Sequence, residues 1–206
     1  MSAQRLLIAT SNDGKLRELR ALLAAQPFEL LSLDDIPDIE TVEETGSTFI
    51  ENASLKAAGY ARQAQVLTLA DDSGLVVDAL SGGPGVRSAR YLSADASYPD
   101  RIRSLLAELN DLSDQDRTAR FVCAMAVASE AGEMLFVTEN ACDGRIARSP
   151  KGRGGFGYDP IFIPNGYDRT FAELSAETKN QISHRAKALF ATRDFLSSLT
   201  VSRRGG

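Results

Sequence analysis

Residues Val66 to Gly74 read V-L-T-L-A-D-D-S-G, an apolar run followed at once by two acids, a serine and a glycine. The run is long enough for one buried strand, and we expect that strand to end at Ala70. In open α/β sheets, ligands bind beside the carboxyl ends of strands. Two adjacent carboxylates there are costly to bury without a metal ion or a basic side chain. The stretch therefore indicates either an ordinary acidic turn or a ligand site.

The composition is that of a globular protein. The chain has 206 residues, of which 43% are hydrophobic, and carries a net charge of −5, which argues against binding to a nucleic acid polymer or an acidic membrane. Cys123 and Cys142 match no metal-ligand spacing, and a reducing cytoplasm suits them. Arg5 leads straight into the apolar run 6–9, so we expect no secretion signal and a cytoplasmic protein.

Strand and helix patterns alternate along the chain. Strands are predicted at 5–10, 28–33, 66–70, 118–129, 133–141 and 161–163, and helices after 14, from 48, at 99–109, near 172–179 and from 183. We expect Thr170 to cap the short helix near 172–179, Phe190 to lie on the inner face of the last helix, and 202–206 to fray. This order predicts one α/β domain over 1–206, with a mixed sheet and helices on both faces.

The segment Thr10-Ser11-Asn12-Asp13-Gly14-Lys15 joins the first strand to the first helix. Free backbone N–H groups and the positive helix end suit an anion at such a junction. It is not a Walker A loop, because Ala9 and Leu16 replace the glycine and the hydroxyl residue which that motif needs. An ordinary helix cap with a surface lysine is the alternative.

A capping box, Thr48 with Glu51, predicts the start of the second helix. Asn52 and Lys56 follow and share a face of that helix. No lysine or arginine lies between Arg20 and Lys56, whereas acids accumulate there. We expect most of these acids to form a solvated loop, although one or two are candidate cation ligands.

The glycine-rich segment Gly152–Gly157 formally matches G-x-G-x-x-G. A dinucleotide site is rejected because no strand precedes the segment and no helix follows it. A flexible loop that approaches a ligand closely suits the residues better, with Phe156 stacking on a flat ring. Alternatively, Phe156 and Tyr158 simply fill the core.

The last helix is predicted to start with Ser183-His184-Arg185, and His184 is the only histidine of the chain. The imidazole can hydrogen-bond a ligand, and the guanidinium can donate to a carbonyl oxygen or a phosphate. Positive side chains gain nothing from the helix dipole at this end. A ligand contact is therefore favoured over a merely solvated helix start.

Six motifs in order resemble the inosine triphosphate pyrophosphatase family, which removes noncanonical purine nucleoside triphosphates. They are A-T-S-N-D-G-K at 9–15, E-E-T-G-x-T-F-I-E-N-A at 43–53, A-D-D-S-G-L at 70–75, P-G-V-R-S-A-R-Y at 84–91, G-G-F-G-Y-D-P-I-F at 154–162 and I-S-H-R-A-K-A-L at 182–189. Together they span nearly the whole chain, and no motif position departs from the family pattern.

The resemblance implies hydrolysis of ITP, dITP and XTP to the monophosphate and pyrophosphate, with Mg²⁺, a homodimer, and an elongated fold of two lobes with a central active-site cleft. It assigns metal binding to Glu44 and Asp72, and proton abstraction to Asp72. The nucleotide contacts that it implies are Thr10, Ser11, Asn12, Asp13, Gly14, Lys15, Lys56, Ser73, Phe156, Gly157, Tyr158, Asp159, Lys179, His184 and Arg185. Asp71 is expected to support Asp72 or to help hold the turn at the strand end.

Physical chemistry agrees with that assignment. A triphosphate carries about four negative charges, so binding beside Asp71 and Asp72 needs a cation such as Mg²⁺. Three rival functions predict different behaviour: a pyrimidine triphosphate pyrophosphatase would hydrolyse dUTP, a nucleotide sensor would bind without turnover, and an RNA-binding module would need basic and aromatic surfaces.

Overall fold

The computed structural model describes residues 4–202, with side chains up to residue 199, and its elements follow the predicted alternation. The strands are β1 (Gln4–Ala9), β2 (Phe28–Ser32), β3 (Leu67–Val77), β4 (Thr118–Ala128), β5 (Met134–Ile146) and β6 (Phe162–Pro164). The helices are α1 (Asp13–Leu23), α2 (Phe49–Ala64), α3 (Tyr98–Glu108), α4 (Ala176–Ile182) and α5 (His184–Ser202). Short 3-10 segments lie between several of them.

The strands form a mixed sheet in the order β2-β1-β3-β4-β5-β6. β1 runs parallel to both β2 and β3, with Ile8 opposite Ser32 on one side and Leu69 on the other. β5 runs antiparallel to β6. The predicted α/β fold with a mixed sheet flanked by helices is therefore confirmed.

The chain divides into two compact units, each with its own core. The first unit contains residues 4–72, 123–140 and 185–202 of the described chain, and its core includes Leu6, Ile8, Leu19, Leu23, Leu69, Met125 and Leu189. The second unit contains residues 73–122 and 141–184, and its core includes Leu75, Leu105, Phe121, Ile146, Tyr158, Phe162 and Phe171.

Strand β3 does not end at Ala70, contrary to the sequence prediction. It continues through Asp71 and Asp72 to Val77. Successive side chains of a strand point to opposite faces, so the two carboxylates are separated by the pleat rather than crowded in a turn. Both are nonetheless buried, at 0% and 5% exposure, because basic or amide side chains meet each of them.

Two local predictions near the C-terminus are wrong. Ser175, not Thr170, caps the short helix: its hydroxyl accepts a hydrogen bond from the Thr178 amide at 3.1 Å, and α4 begins one residue later. Phe190 is 38% exposed and lies under the Arg193 guanidinium, so it is not on the inner face of α5. The predicted frayed tail lies outside the described residues, except for Ser202.

No helix among residues 4–202 combines the length and the apolar character that a membrane-spanning segment needs.

Candidate functional site

The segment Thr10–Lys15 leads from β1 into α1. Asn12 caps the helix, because its side-chain oxygen accepts a hydrogen bond from the Lys15 amide at 3.1 Å. The backbone amide of Asn12 in turn donates a hydrogen bond to the Thr10 hydroxyl at 3.3 Å. Thr10 and Gly14 are buried, whereas Ser11 and Asp13 are exposed. The cap keeps the first turn of α1 in place, with Lys15 on it.

Asp71 lies at the centre of a buried charge network in the first unit. Its Oδ2 is 3.0 Å from Lys15 Nζ and 3.6 Å from Arg185 Nε. The Arg185 guanidinium also pairs with Glu18. Burial acts to raise the pKa of Asp71, but Lys15 first and Arg185 next outweigh it and lower the pKa to about 2. Asp71 is therefore charged at neutral pH, and it ties Lys15 and Arg185 together.

Asp72 belongs to a second set of contacts in the same unit. Its Oδ2 accepts a hydrogen bond from the Asn52 amide nitrogen at 3.1 Å. Lys56 donates to Glu44 at 2.7 Å. Burial raises the pKa of Asp72; Lys56 opposes that rise and Glu44 reinforces it, with a net increase. The pKa of Lys56 is also raised: burial lowers it, but nearby carboxylates, Asp71 foremost, more than compensate.

Helix α2 brings Asn52 and Lys56 into this set. The predicted capping box is present, since Thr48 and Glu51 exchange hydrogen bonds at 3.1 and 3.2 Å. Four-residue spacing then places Asn52 and Lys56 on the buried face, as predicted. The side-chain oxygen of Asn52 accepts a hydrogen bond from the backbone amide of Gly46 at 2.8 Å. The side-chain nitrogen of Asn52 is therefore directed at Asp72.

The residues around Asp72 fit a magnesium ion held together with substrate. Mg²⁺ prefers oxygen ligands and is usually bound through one or two carboxylates plus substrate phosphates. Burial and the neighbouring Glu44 both disfavour the charged form of Asp72, and a divalent cation offsets both effects. Among the described residues no group of three or more acidic, histidine or cysteine side chains is placed to hold a metal ion by itself.

In the second unit, Asp159 organises the glycine-rich loop. Its Oδ2 accepts a hydrogen bond from the Phe156 amide at 2.8 Å and is 2.5 Å from Lys179 Nζ. The same Lys179 ammonium lies 4.7 Å from the centre of the Phe156 ring. A Cβ on Gly155 would lie 1.9 Å from Asp159 Oδ2, and the φ of Gly155 is +70°, so this turn requires glycine.

The two aromatic residues of that loop differ in their surroundings. The Tyr158 hydroxyl donates to the Ser88 carbonyl at 3.0 Å, and its ring meets the Tyr98 ring edge-on. Tyr158 is only 3% exposed and fills the core, as one of the two interpretations held. Phe156 is half-buried, and Gly157 between them lies against Tyr98. Phe156 therefore remains the candidate for stacking on a ligand.

His184 is buried in the second unit as the first residue of α5. Its imidazole stacks on the Phe121 ring, with centroids 4.7 Å apart and planes 11° from parallel. Ser73, also predicted as a nucleotide contact, is half-buried in β3. The predicted site residues thus form groups around Asp71 and Asp72 in one unit and around Asp159 and His184 in the other.

Sequence reasoning gave no role in the site to Asn52, Glu18 and Phe121, and gave Asp71 only a supporting role. Asn52 carried a usable signal, because it lies one helical turn before Lys56. The contact between Glu18 and Arg185 joins positions 167 residues apart, and the pattern of the sequence holds no sign of it. Phe121 looked like one more apolar residue of a strand, and Asp71 was expected only to support its neighbour.

The chain is similar to known proteins in both sequence and structure. The model described as the Ham1 family matches residues 6–195. A dITP/XTP pyrophosphatase of Geobacillus kaustophilus is 54% identical over 186 residues, covering 90% of this chain and 91% of that protein. A dITP/XTP pyrophosphatase of Geobacter sulfurreducens is 49% identical over 192 residues, covering 93% and 96%. The solved structure of a HAM1 protein from Coxiella burnetii superposes with a TM-score of 0.84 at 40% identity, covering 95% of this chain and 99% of that one.

Proposed function

Because the chain belongs to the Ham1 family, we propose that it hydrolyses ITP, dITP and XTP to the nucleoside monophosphate and pyrophosphate. It is a nucleoside triphosphate pyrophosphatase, as its curated relatives are. The observation that carries the substrate proposal is the charged cluster of the first unit, where the half-buried Lys15 and Glu44 lie with the buried Lys56, Asp71 and Asp72. Such a cluster suits a polyanion bound with a cation.

The triphosphate is assigned to Lys15, Lys56 and the start of α1. The first-turn amides of a helix point at an anion placed at its N-terminus, and the dipole adds to the attraction. Asp71 holds Lys15, and Glu44 holds Lys56, so neither ammonium has to be ordered when substrate arrives. Fixed positive groups stabilise the charge that develops on the phosphates during cleavage.

Glu44 and Asp72 are assigned to Mg²⁺, which, when bound, would neutralise phosphate charge and lower the pKa of water. Asp72 is also assigned as the proton acceptor. The side-chain amide of Asn52 donates a hydrogen bond to this carboxylate and orients it. Asp72 would take a proton from the attacking water as the water oxygen bonds to the α-phosphorus. The bond from that phosphorus to the oxygen bridging to the β-phosphorus breaks, and pyrophosphate leaves with that oxygen.

Recognition of the base is assigned to the second unit. Phe156, with the Lys179 ammonium near its ring, would stack on the purine. Hypoxanthine and xanthine carry an oxygen at purine position 6, where adenine carries an amino group. A donor from His184, or from a backbone amide, pairs with that oxygen but meets another donor in adenine, and each unpaired buried group costs about 1–3 kcal/mol. The Arg185 side chain contacts Glu18 and Asp71, which favours His184 for this role.

The test is a product analysis. Protein is incubated with ITP, dITP, XTP, dUTP, ATP or GTP in Mg²⁺, and the products are separated by ion-exchange chromatography. We expect IMP and pyrophosphate from ITP, and much slower turnover of ATP. Release of single phosphate, equal turnover of ATP, preference for dUTP, or binding without turnover would each overturn the proposal.

The role of Asp72 is tested by Asp72→Asn, with Asp78→Asn as the matched control. Asp78 is a half-exposed carboxylate paired with Arg120 and outside the proposed site. Because general base catalysis is worth about 10²–10⁴-fold, we expect Asp72→Asn to lose at least a hundredfold in kcat while Asp78→Asn keeps the wild-type value. Equal rates for the two variants would remove Asp72 from the mechanism.

Two further properties belong to the same proposal. We propose that the protein is a homodimer and acts in the cytoplasm, as the resemblance implies. Light scattering during gel filtration should give twice the 22.2 kDa mass of one chain, whereas a monomer mass would contradict the dimer.

A further inference from the structure

The imidazole of His184 is held by an aromatic stack. Phe121 lies flat against it, 4.7 Å between centroids and 11° between planes. Two more rings of the second unit contact Phe121: the Phe162 ring at 4.7 Å and 61°, and the Phe171 ring at 6.0 Å and 19°. All four side chains are less than 10% exposed, so the rings form one buried, packed cluster.

The plane of an imidazole decides where it can donate. Both ring nitrogens have their N–H bonds or lone pairs in the plane of the ring, and hydrogen bonds weaken steeply once donor and acceptor are misaligned. The second side-chain torsion of histidine is broad, so the helix backbone does not set this plane. In this chain the flat face of Phe121 lies within 11° of parallel to that plane.

We propose that Phe121 is a positioning residue for purine selection: it fixes the plane of the His184 ring so that its N–H points at the oxygen on purine position 6. This inference rests on the proposed function, because His184 is assigned there as a donor to the base. Loss of the stack should weaken the bond to ITP. ATP does not make that bond, and its turnover should change little.

Two leucine substitutions separate this role from simple core packing. Phe121→Leu removes the ring that stacks on His184. Phe162→Leu removes a ring of equal size from the same core, where it is 0% exposed and contacts Phe121 and Phe171. Both variants leave a similar cavity, so a purely structural effect should appear in both.

The measurement is the ratio of kcat/KM for ITP to kcat/KM for ATP in the wild type, Phe121→Leu, Phe162→Leu and His184→Ala. Losing one oriented hydrogen bond changes a rate by about tenfold, so we expect Phe121→Leu to lower this ratio about tenfold, through KM for ITP, and Phe162→Leu to keep it. An unchanged ratio in Phe121→Leu, or an equal loss in Phe162→Leu, would overturn the inference. So would a His184→Ala variant that keeps the wild-type ratio.

The wild-type ratio distinguishes a failure of the proposed function from a failure of the inference about Phe121. A wild type that hydrolyses ATP as fast as ITP contradicts the proposed function, whatever Phe121 does. A wild type that discriminates, with loss in His184→Ala and none in Phe121→Leu, contradicts the inference alone.

A spectroscopic measurement covers the case in which Phe121→Leu folds poorly. His184 is the only histidine, so in untagged protein the imidazole proton signals belong to one residue. A stacked ring shifts them upfield, and we expect Phe121→Met, which keeps the volume without a flat face, to move them back. Unshifted wild-type signals, or signals that stay in place in Phe121→Met, would contradict the stack.

Discussion

Asp71→Asn should destabilise the protein far more than the same change at the surface. The wild-type carboxylate is wholly buried and faces Lys15 at 3.0 Å and Arg185 at 3.6 Å. The amide keeps the shape and removes the charge, so the buried Arg185 and the half-buried Lys15 both lose this partner. Glu18 still pairs with Arg185.

The pKa of Asp71 sets the magnitude. The folded value is about 2 against an ordinary 3.8, and this difference is worth about 2 kcal/mol in the free energy of unfolding at neutral pH. Breaking a buried ion pair by removing one partner costs about 3–5 kcal/mol. We therefore expect Asp71→Asn to lose about 3 kcal/mol. Because the folded pKa lies below the unfolded one, this stabilisation is complete above about pH 4 and declines as the pH falls from 3.8 to 2.

Urea unfolding at pH 7 and at pH 3 measures this directly, with Asp114→Asn as the control. The Asp114 side chain is 73% exposed and lies 2.7 Å from Arg148, so loss of its charge should cost less than about 1 kcal/mol. Equal losses for the two variants, or a difference between wild type and Asp71→Asn that does not shrink in acid, would refute the reasoning.

Two more predictions follow from the loop and from α5. Gly155→Ala should raise KM for ITP at least tenfold, because its Cβ would meet Asp159 at 1.9 Å. Gly166 has a similar positive φ, but a Cβ there would meet no atom within 4 Å, so Gly166→Ala should keep the wild-type KM. Equal KM values for the two variants would contradict a role of the glycine-rich loop in binding ITP. Leu189→Ala should lower the free energy of unfolding by about 2–5 kcal/mol, as for other fully buried leucines, and Phe190→Ala by less than about 1 kcal/mol. Chemical denaturation measures both losses. A larger loss for Phe190→Ala than for Leu189→Ala would place Phe190 on the inner face.

Local signals predicted most of the elements correctly. The capping box of Thr48 with Glu51, and the turn between β4 and β5, depend on residues close in sequence, so their patterns were sufficient. Phe190 shows where the apolar pattern misleads. It follows the buried Leu189 and was expected on the same inner face, but it lies on the exposed side of α5. The prediction that Thr170 caps the short helix is wrong for a similar reason. Thr170 and Ser175 are both suitable capping residues, and the backbone conformation decides which of them starts the helix.

The sequence by itself determined the α/β class, the family and the residue types of the site, because motifs and periodicity are properties of neighbouring residues. It also indicated that Asp71 and Asp72 need positive partners. Only the tertiary structure decided that β3 continues through both acids, that Lys15 and Arg185 meet Asp71, and that Phe121 holds His184. These contacts join positions far apart in the chain, and their geometry is set by how the core packs.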